Sequence, residues 1–539
     1  MKKITLLMML LLTTLGWSQE DAWVYFNDKP GATAFFNNPL TELSQRSLDR
    51  RTAQNIALDI KDAPISQNYI NQISAASGII VMAKSKWLNC VHVRGEATDI
   101  AALSSLSFVH HIFYANTSLN NRAVAVPTRQ KPVNKQLETL VNFNYGNSFN
   151  QIHMLNGDLL HQQNYTGAGK IIAVLDAGFP GVDSATPFDR LRNNNQILGG
   201  YDYVGRTDNF YTSNSHGTMV LSTMGGYVDG ELVGTAPDAK YYLYITEDVS
   251  SENPVEESNW VEAAEQADRV GADVITSSLG YFAFDNPAYG HTYEDMTGNS
   301  AFASQGANIA FTRGMVVVAS AGNEGNNDEP HVGVPAEANN VLAIGAVRSN
   351  RSRASFSSIG PSFDGRIKPD VMAQGQASVL SDTAGNIVTA NGTSFSGPIT
   401  AGMIATFWSA VPSLTQQQVV NFVKQSADRF TNPDNEYGYG IPDFSLALSE
   451  AQQFLGIQTN EQEMVSVFPN PAATELNVAL PSDVNQAQIN LYNQIGQLVL
   501  SQEVNQSSSK ISLNTIESGL YLYRIESASF VSTGKITKK

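Results

Sequence analysis

Short apolar runs separated by amphipathic stretches dominate the middle of the chain. Most positions within these runs are apolar, which is typical of strands buried on both faces. Helical patterns lie between them, so this region predicts an α/β domain with a mainly parallel sheet covered by helices on both faces. The apolar runs span 170–175, 273–278, 315–319 and 341–346.

The chain before this region falls into three segments. Residues 1–18 begin with a basic Met-Lys-Lys, continue as a short apolar run and end in small residues, which predicts a secretory signal peptide. Residues 19–120 contain two strand-like runs around a short helical stretch and predict a small α+β domain. Residues 116–135 are rich in Asn, Pro, Arg and Lys, so we expect an exposed processing linker at 121–140.

A small domain followed by a linker that proteases can cut is typical of a removable pro-region. Such a domain assists folding and blocks a site until it is removed. A permanent accessory domain is the alternative interpretation of the same pattern. The α/β domain would then span 141–455.

Period-two alternation returns at the end of the chain. Short strand-like runs between 465 and 539 are separated by Gly and Asn turns, which predicts a small antiparallel β-sandwich. A short linker at 456–464 would connect it to the α/β domain.

Composition excludes several classes of function. The chain has 539 residues, and its 33 Lys and Arg against 50 Asp and Glu give a net charge of −17. This balance argues against nucleic acid as a partner, since phosphate contacts need clustered basic residues. The single cysteine, Cys90, excludes an intramolecular disulfide and a four-cysteine zinc site. After residue 18, the chain has no apolar run of about 18 residues, so no membrane span is expected.

Four polar side chains stand where strands end or helices begin. Asp176 and Asn323 each follow a buried strand-like run. His216 and Ser394 each stand just before a helical pattern. Each residue taken alone is better explained as a turn, cap or structural residue. Sites in parallel sheets form beyond the carboxyl ends of the strands, so the four residues together indicate a shared site.

Ser394 has the local sequence of a residue at a helix N-terminus. Gly392 allows a tight turn, and Pro398 is expected in the first helical turn, where no internal N–H donor is needed. Unpaired N–H groups and the helix dipole favour negative charge at this position.

The chain order Asp, His, Ser resembles that of the subtilisin-like serine endopeptidases, the subtilase family, over about 165–445. Further stretches resemble the same family. They lie at 233–237, 278–280, 334–336, 356–371 and 437–440.

This resemblance implies a subtilisin-like three-layer α/β domain with a serine-protease mechanism. Ser394 would be the nucleophile, His216 the general base and Asp176 the residue that orients it. Asn323 would contribute to the oxyanion hole. The resemblance also implies that two segments form the walls of the first substrate pocket. Their residues are Ser278, Leu279, Gly280, Ser320, Ala321 and Gly322. Because these walls are small and lack acidic residues, we expect a medium or large apolar substrate side chain.

The C-terminal β-sandwich resembles the sorting domain of type IX secretion cargo from Bacteroidetes. The matching stretches are 468–472, 491–497, 519–525 and 535–539. The resemblance implies an exported protein, secreted or attached to the cell surface, with the secretion machinery as a partner. A plain adhesive sandwich is the alternative.

Two other classes of function remain as alternatives. A catalytically silent binding or adhesive protein could keep the subtilase fold. A nucleotide-binding protein is disfavoured, since the glycines at 167–170 precede a strand and no Walker spacing follows.

We expect protein or peptide substrates and an inhibitory pro-region as partners, without nucleic acid. No cofactor is needed for catalysis. Loops at 202–209 and 326–329 could hold a structural calcium ion, although a solvated surface explains them as well.

Overall fold

The computed structural model describes residues 19–120, 143–456, 466–480, 484–494, 496–505, 510–527 and 531–539. The chain divides into two compact units, 1–457 and 458–539. The predicted signal peptide and the linker at 121–140 lie outside the described residues, as does all but the first residue of the linker at 456–464. The domain boundaries themselves stay predictions.

The N-terminal part of the first unit is a small α+β domain. Its sheet is antiparallel, with strand order β2-β3-β1-β4. Two of the strands and one helix follow the sequence prediction, whereas β1, β2 and three helices were not predicted. Its elements are β1 (Gln19–Phe26), α1 (Ala32–Asn37), α2 (Gln45–Ala53), α3 (Gln67–Ser74), β2 (Ile80–Ser85), β3 (Cys90–Glu96), α4 (Ala97–Ala102) and β4 (Val109–Tyr114).

The larger part of the first unit is built on a seven-stranded parallel sheet of order β13-β12-β11-β10-β5-β9-β6. The strands of this region, including two short hairpins outside the sheet, are β5 (Ile171–Asp176), β6 (Ile197–Asp202), β7 (Tyr227–Val228), β8 (Leu232–Val233), β9 (Lys240–Ile245), β10 (Val274–Ser277), β11 (Val316–Ser320), β12 (Val341–Val347), β13 (Val371–Gln374), β14 (Ser378–Ser381) and β15 (Ile387–Ala390).

Helices cover both faces of this sheet. They are α5 (Phe149–His153), α6 (Gly157–Gln162), α7 (Asp189–Asn193), α8 (His216–Gly225), α9 (Val255–Val270), α10 (Phe302–Thr312), α11 (Thr393–Ala410), α12 (Gln416–Gln425) and α13 (Phe444–Phe454).

The sheet separates two apolar cores, which makes the domain a three-layer α/β structure. Alternate residues of β5 contribute to opposite cores, with Ile172 and Val174 in one and Ala173 and Leu175 in the other. The first core is shared with α8 and α11, and the second with α9 and α10. The predicted fold class is therefore confirmed.

The helix that contains Ser394 begins earlier than the apolar pattern of the sequence indicates. α11 starts at Thr393, so Pro398 lies in its second turn and not in the first as expected. Proline has no N–H, and the carbonyl of Ser394 therefore lacks its usual helical donor. The hydroxyl of Ser278 donates to that carbonyl instead, at 2.9 Å, and keeps the helix continuous.

The second unit contains two antiparallel sheets, of order β16-β17-β20 and β19-β18-β21-β22. Leu476 from the first sheet and Ile489 from the second are both fully buried in one shared core, as expected of a sandwich. The strands are β16 (Ser466–Phe468), β17 (Glu475–Ala479), β18 (Gln486–Tyr492), β19 (Leu498–Asn505), β20 (Lys510–Ser512), β21 (Gly519–Glu526) and β22 (Val531–Lys538).

Within the described parts of both units, no helix has the length and apolar character needed to cross a membrane.

Candidate active site

Asp176 and His216 form a hydrogen-bonded pair at the carboxyl edge of the parallel sheet. Asp176 is the last residue of β5, and His216 is the first residue of α8. The imidazole Nδ1 lies 2.7 Å from Asp176 Oδ1. Because a carboxylate only accepts, Nδ1 carries the proton and Nε2 is left as the basic nitrogen.

A glycine brings the helix and the strand end this close together. A Cβ added to Gly217 would lie 2.5 Å from the carbonyl oxygen of Gly178 and 2.9 Å from Asp176 Cβ. Side chains do not tolerate contacts this short, so α8 could not approach β5 with a larger residue here. The backbone N–H of His216 also donates to Asn214 Oδ1 at 2.9 Å, which fixes the first turn of the helix.

The surroundings of His216 favour its charged form. Burial alone would lower the pKa of His216, but the charge of Asp176 and their hydrogen bond outweigh it, so the pKa is raised above 6.5. Asp176 is fully buried, and its second carboxylate oxygen has no hydrogen-bond partner among the described residues. Asp176 Oδ1 accepts the backbone N–H of Ala177 as well as the imidazole N–H, each at 2.7 Å.

Ser394 lies in the first turn of α11, close to the ends of β10 and β11. Its hydroxyl donates to the carbonyl of Ser278 at 3.5 Å. In the described chain no hydrogen bond joins Ser394 to His216, although the ring of the adjacent Phe395 lies 6.1 Å from the imidazole, centroid to centroid. In enzymes without substrate such bonds are often long and tighten only in the complex.

Asn323 is held by the residue next to Ser394. Its Oδ1 accepts hydrogen bonds from the backbone N–H of Thr393 at 2.9 Å and from the Thr393 hydroxyl at 3.2 Å. A backbone N–H can only donate, so the accepting atom is the amide oxygen. The Nδ2 group, which donates to nothing within the described residues, remains free to bind an incoming oxygen.

The two predicted pocket walls lie on either side of the first turn of α11. The hydroxyl of Ser320 donates to the carbonyl of Thr393 at 2.7 Å, and Ser278 contacts Ser394 as described above. Gly322 has a φ of +107°, and a Cβ there would lie 2.7 Å from the hydroxyl of Ser358. This wall therefore requires glycine.

The wall at 278–280 has backbone groups that make no hydrogen bonds within the described residues. Leu279 and Gly280 make no backbone hydrogen bonds within the described residues, whereas the N–H of Tyr281 donates to the carbonyl of Val334 at 2.8 Å. The peptide groups at 279 and 280 can therefore pair with an extended chain.

Sequence reasoning missed two groups beside the site. Thr393 orients Asn323, and only its position next to Ser394 could have drawn attention to it. Glu247 follows the end of β9 and accepts a hydrogen bond from the Tyr281 hydroxyl at 2.6 Å. Burial, together with nearby carboxylates, raises the pKa of Glu247. The sequence around it contains no motif that we could have interpreted.

One of the two loops considered for calcium uses a carboxylate oxygen for backbone hydrogen bonds. Asp202 Oδ1 already accepts the backbone N–H groups of Val204 and Gly205, at 2.9 and 2.8 Å. Across the described ranges, no group of three or more His, Cys, Asp or Glu side chains is arranged to hold a metal ion. A structural calcium ion stays a prediction.

Comparison with known protein families agrees with this geometry. The subtilase family, Peptidase S8, matches residues 167–440. The chain belongs to the subtilase family. It also carries a Peptidase S8 propeptide domain of Bacteroidota type at 21–134 and a secretion system C-terminal sorting domain at 466–539. This subtilase is thus a serine peptidase with a pro-region and a type IX sorting domain, which marks it for export.

Individual relatives support the same family. Subtilisin DY of Bacillus licheniformis is 32% identical over 292 residues, which cover 54% of this subtilase and 93% of subtilisin DY. Subtilisin E of Bacillus subtilis is also 32% identical over 292 residues, covering 54% and 68% of the two chains. The epidermin leader peptide processing serine protease of Staphylococcus aureus shares the fold, with a TM-score of 0.53 at 16% identity, covering 80% of this subtilase and 98% of that chain.

The charge of Asp176 should determine the pKa of His216, and the variant Asp176→Asn tests this. Without the carboxylate charge the lowering effect of burial remains, so the pKa of His216 should fall below 6.5. An NMR titration of the imidazole, in a Ser394→Ala background, measures this pKa. Glu247→Gln removes a weaker charge and should lower the pKa less. An unchanged pKa in Asp176→Asn would show that Asp176 does not determine the charge state of His216.

Proposed function

We propose that the subtilase is an exported serine endopeptidase that hydrolyses peptide bonds in proteins through an acyl-enzyme intermediate. The observation that carries this proposal is the 2.7 Å contact between the buried Asp176 carboxylate and His216 Nδ1. That contact leaves the basic Nε2 at the sheet edge where α11 presents Ser394.

Ser394 is the nucleophile in this proposal. Its hydroxyl is a weak nucleophile until a base removes the proton, and His216 Nε2 is that base. Oγ attacks the carbonyl carbon of the scissile peptide bond, and the imidazolium formed then protonates the leaving amine. Asp176 stabilises the imidazolium and keeps its ring oriented. Departure of the amine leaves an ester on Ser394, the acyl-enzyme. Water then hydrolyses this ester, with His216 again acting first as base and then as acid.

The tetrahedral intermediate carries a negative charge on the former carbonyl oxygen. Asn323 Nδ2 and the backbone N–H of Ser394 are its proposed donors. Two features support these roles: the amide oxygen of Asn323 is bound to Thr393, and the N–H of Ser394 lies in a first helical turn, where it has no intrahelical acceptor. Both donors are thus fixed before the charge develops.

The substrate would pair with the open peptide groups at 279 and 280 as an added strand. The walls formed by 278–280 and 320–322 contain no acidic side chain, which supports cleavage after a medium or large apolar residue. A peptide-library profile dominated by Lys or Arg at the cleaved position would contradict this preference. The six wall residues stay a proposal, as does the inhibitory role of the pro-region.

Self-processing tests the nucleophile. We expect the wild-type chain to lose its N-terminal region through a cut within 116–135 and then to hydrolyse casein. Ser394→Ala should stay uncut and lose activity by about 10⁶-fold in kcat, a loss measured on subtilisin, a relative of this chain. Ser409→Ala, near the far end of the same helix, should behave as wild type. A Ser394→Ala chain that retains activity would overturn the assignment.

Asn323→Ala tests the oxyanion donor separately. Loss of one such donor should lower kcat by about 10²- to 10³-fold with little change in KM, a range that also comes from subtilisin. Asn326→Ala is the matched control, since Asn326 is exposed in the same loop and its Nδ2 makes only a 3.5 Å contact with Ser355. Steady-state kinetics on one chromogenic peptide compare the two. Equal rates in Asn323→Ala and wild type would exclude Asn323 from the oxyanion hole.

A further inference from the structure

Glu247 is attached to two parts of the candidate active site. The backbone N–H of Thr246, the residue before it, donates to the carbonyl of Asp176 at 3.0 Å. Glu247 Oε1 accepts a hydrogen bond from the hydroxyl of Tyr281, which directly follows the wall at 278–280, at 2.6 Å. These contacts place Glu247 between the end of β5, where the catalytic pair lies, and the segment that leaves β10.

Only one oxygen of the Glu247 carboxylate is used by the described chain. Oε1 accepts the hydroxyls of Tyr281 and Thr246, at 2.6 and 3.1 Å. Oε2 accepts no hydrogen bond within the described residues, and no Lys or Arg among them forms an ion pair with this carboxylate. The side chain is half-buried. Glu247 is therefore held by one oxygen, and the other is available to an incoming group.

The loop that carries Glu247 is fixed to α9. Glu256, in the first turn of that helix, accepts the backbone N–H groups of Asp248 and Asn253, at 2.9 and 3.0 Å. Glu256 is buried, so its two oxygens serve the loop and not a ligand. Because these bonds hold the loop before substrate arrives, binding at Glu247 requires little further ordering of the chain.

The order of the strands separates Glu247 from the proposed substrate pocket. This part of the sheet runs β11-β10-β5-β9. The pocket walls follow β11 and β10, whereas Glu247 follows β9. Neighbouring strands are about 4.8 Å apart, so the end of β9 is about 10 Å from the end of β10. A substrate strand bound along 279 and 280 thus has the pocket on one side and Glu247 on the other.

Successive side chains of an extended substrate point to opposite sides. The residue whose carbonyl Ser394 attacks directs its side chain into the pocket, so the residue before it directs its side chain toward Glu247. We propose that Glu247 selects a basic side chain, lysine or arginine, at this preceding position. The inference rests on the proposed endopeptidase function, since it requires a substrate strand at 279 and 280. Preferred sites would then be an apolar residue that follows a basic one.

The charge that Glu247 offers to a substrate should depend on pH. Burial outweighs the hydrogen bonds from Tyr281 and Thr246 and raises the pKa of Glu247 to about 7. A carboxylate is charged above its pKa, so selection of a basic side chain should be present above about pH 7 and lost below it. Of the titratable groups that face Glu247, only His216 can become positive, and it already pairs with Asp176. These groups are Asp176, His216, Glu252, Glu256 and Tyr281.

Two peptides that differ by one charge measure this selection. Both carry leucine p-nitroanilide at the cleaved position, and the residue before the leucine is either lysine or norleucine. The active enzyme obtained from the full chain is assayed with each peptide, and the ratio of the two kcat/KM values is recorded. A change in the pKa of His216 affects both peptides alike, so the ratio reports on selection.

We expect the wild-type enzyme to favour lysine over norleucine by about tenfold or more at about pH 8.5. Glu247→Gln keeps an oxygen for the Tyr281 hydroxyl but removes the charge, and the ratio should fall to about one or below. Glu252→Gln removes an exposed charge from the same loop and should change the ratio less than about twofold. Between about pH 8.5 and about pH 5.5 the wild-type ratio should fall at least about fivefold, as Glu247 becomes protonated.

Three results would overturn the role of Glu247. They are equal cleavage of both peptides by the wild-type enzyme at the higher pH, a lysine preference that Glu247→Gln retains, and equal losses in Glu247→Gln and Glu252→Gln, which would indicate a general charge effect. If Glu247→Gln fails to fold, the wild-type pH profile decides, and a ratio that does not fall with pH contradicts the role. Failure of the proposed function looks different, since neither peptide would then be cleaved or Ser394→Ala would cleave both.

Discussion

The structure of the site depends on how the first turn of α11 is held against the ends of β10 and β11. Pro398 cannot donate to the carbonyl of Ser394, and the hydroxyl of Ser278 takes over that role. The hydroxyl of Ser320 binds the neighbouring carbonyl of Thr393 in the same way. Two strand ends thus fix one helix terminus, and the same contacts set Ser394 between the walls of the proposed substrate pocket.

The remaining groups are arranged around this fixed point. Thr393 holds the amide of Asn323, and the Asp176–His216 pair approaches from the neighbouring strand end through the close contact at Gly217. These side chains come from β5, from α8, from the loop after β11 and from α11. A parallel sheet brings such distant positions together because all of its strands end at one edge. Their geometry is therefore only as rigid as the packing of the two cores on either side of the sheet.

Much of this arrangement could be predicted from the sequence, since buried strands and helix starts leave local patterns. The apolar run before Asp176 and the helical spacing after His216 both predicted elements that are present. The early start of α11 could not be predicted, because it depends on a hydroxyl from a residue 116 positions away. The role of Thr393 was missed for the same reason.

The contacts of the pro-region were even harder to predict from the sequence, because they also depend on residues far apart in the chain. Its helix α2 has few apolar residues, and its fold against the catalytic domain relies on arginines whose carboxylate partners include a distant residue of α9. A hydrophobic pattern contains no signal for such pairs. The net charge of −17 gives no indication of these ion pairs either, since the arginines that form them are buried and each is compensated by a carboxylate. Packing and buried charge, with no disulfide available to the single Cys90, hold this unit together.

The most direct test of the central claim is covalent labelling by a serine-directed fluorophosphonate, read by intact mass and peptide mapping. We predict one adduct, on Ser394, in the chain that has lost its pro-region, and none in an Asp176→Asn, His216→Ala double variant. The uncut chain should react far more slowly. An adduct on another residue, or equal labelling of the double variant, would contradict the proposed serine nucleophile and its activation by His216.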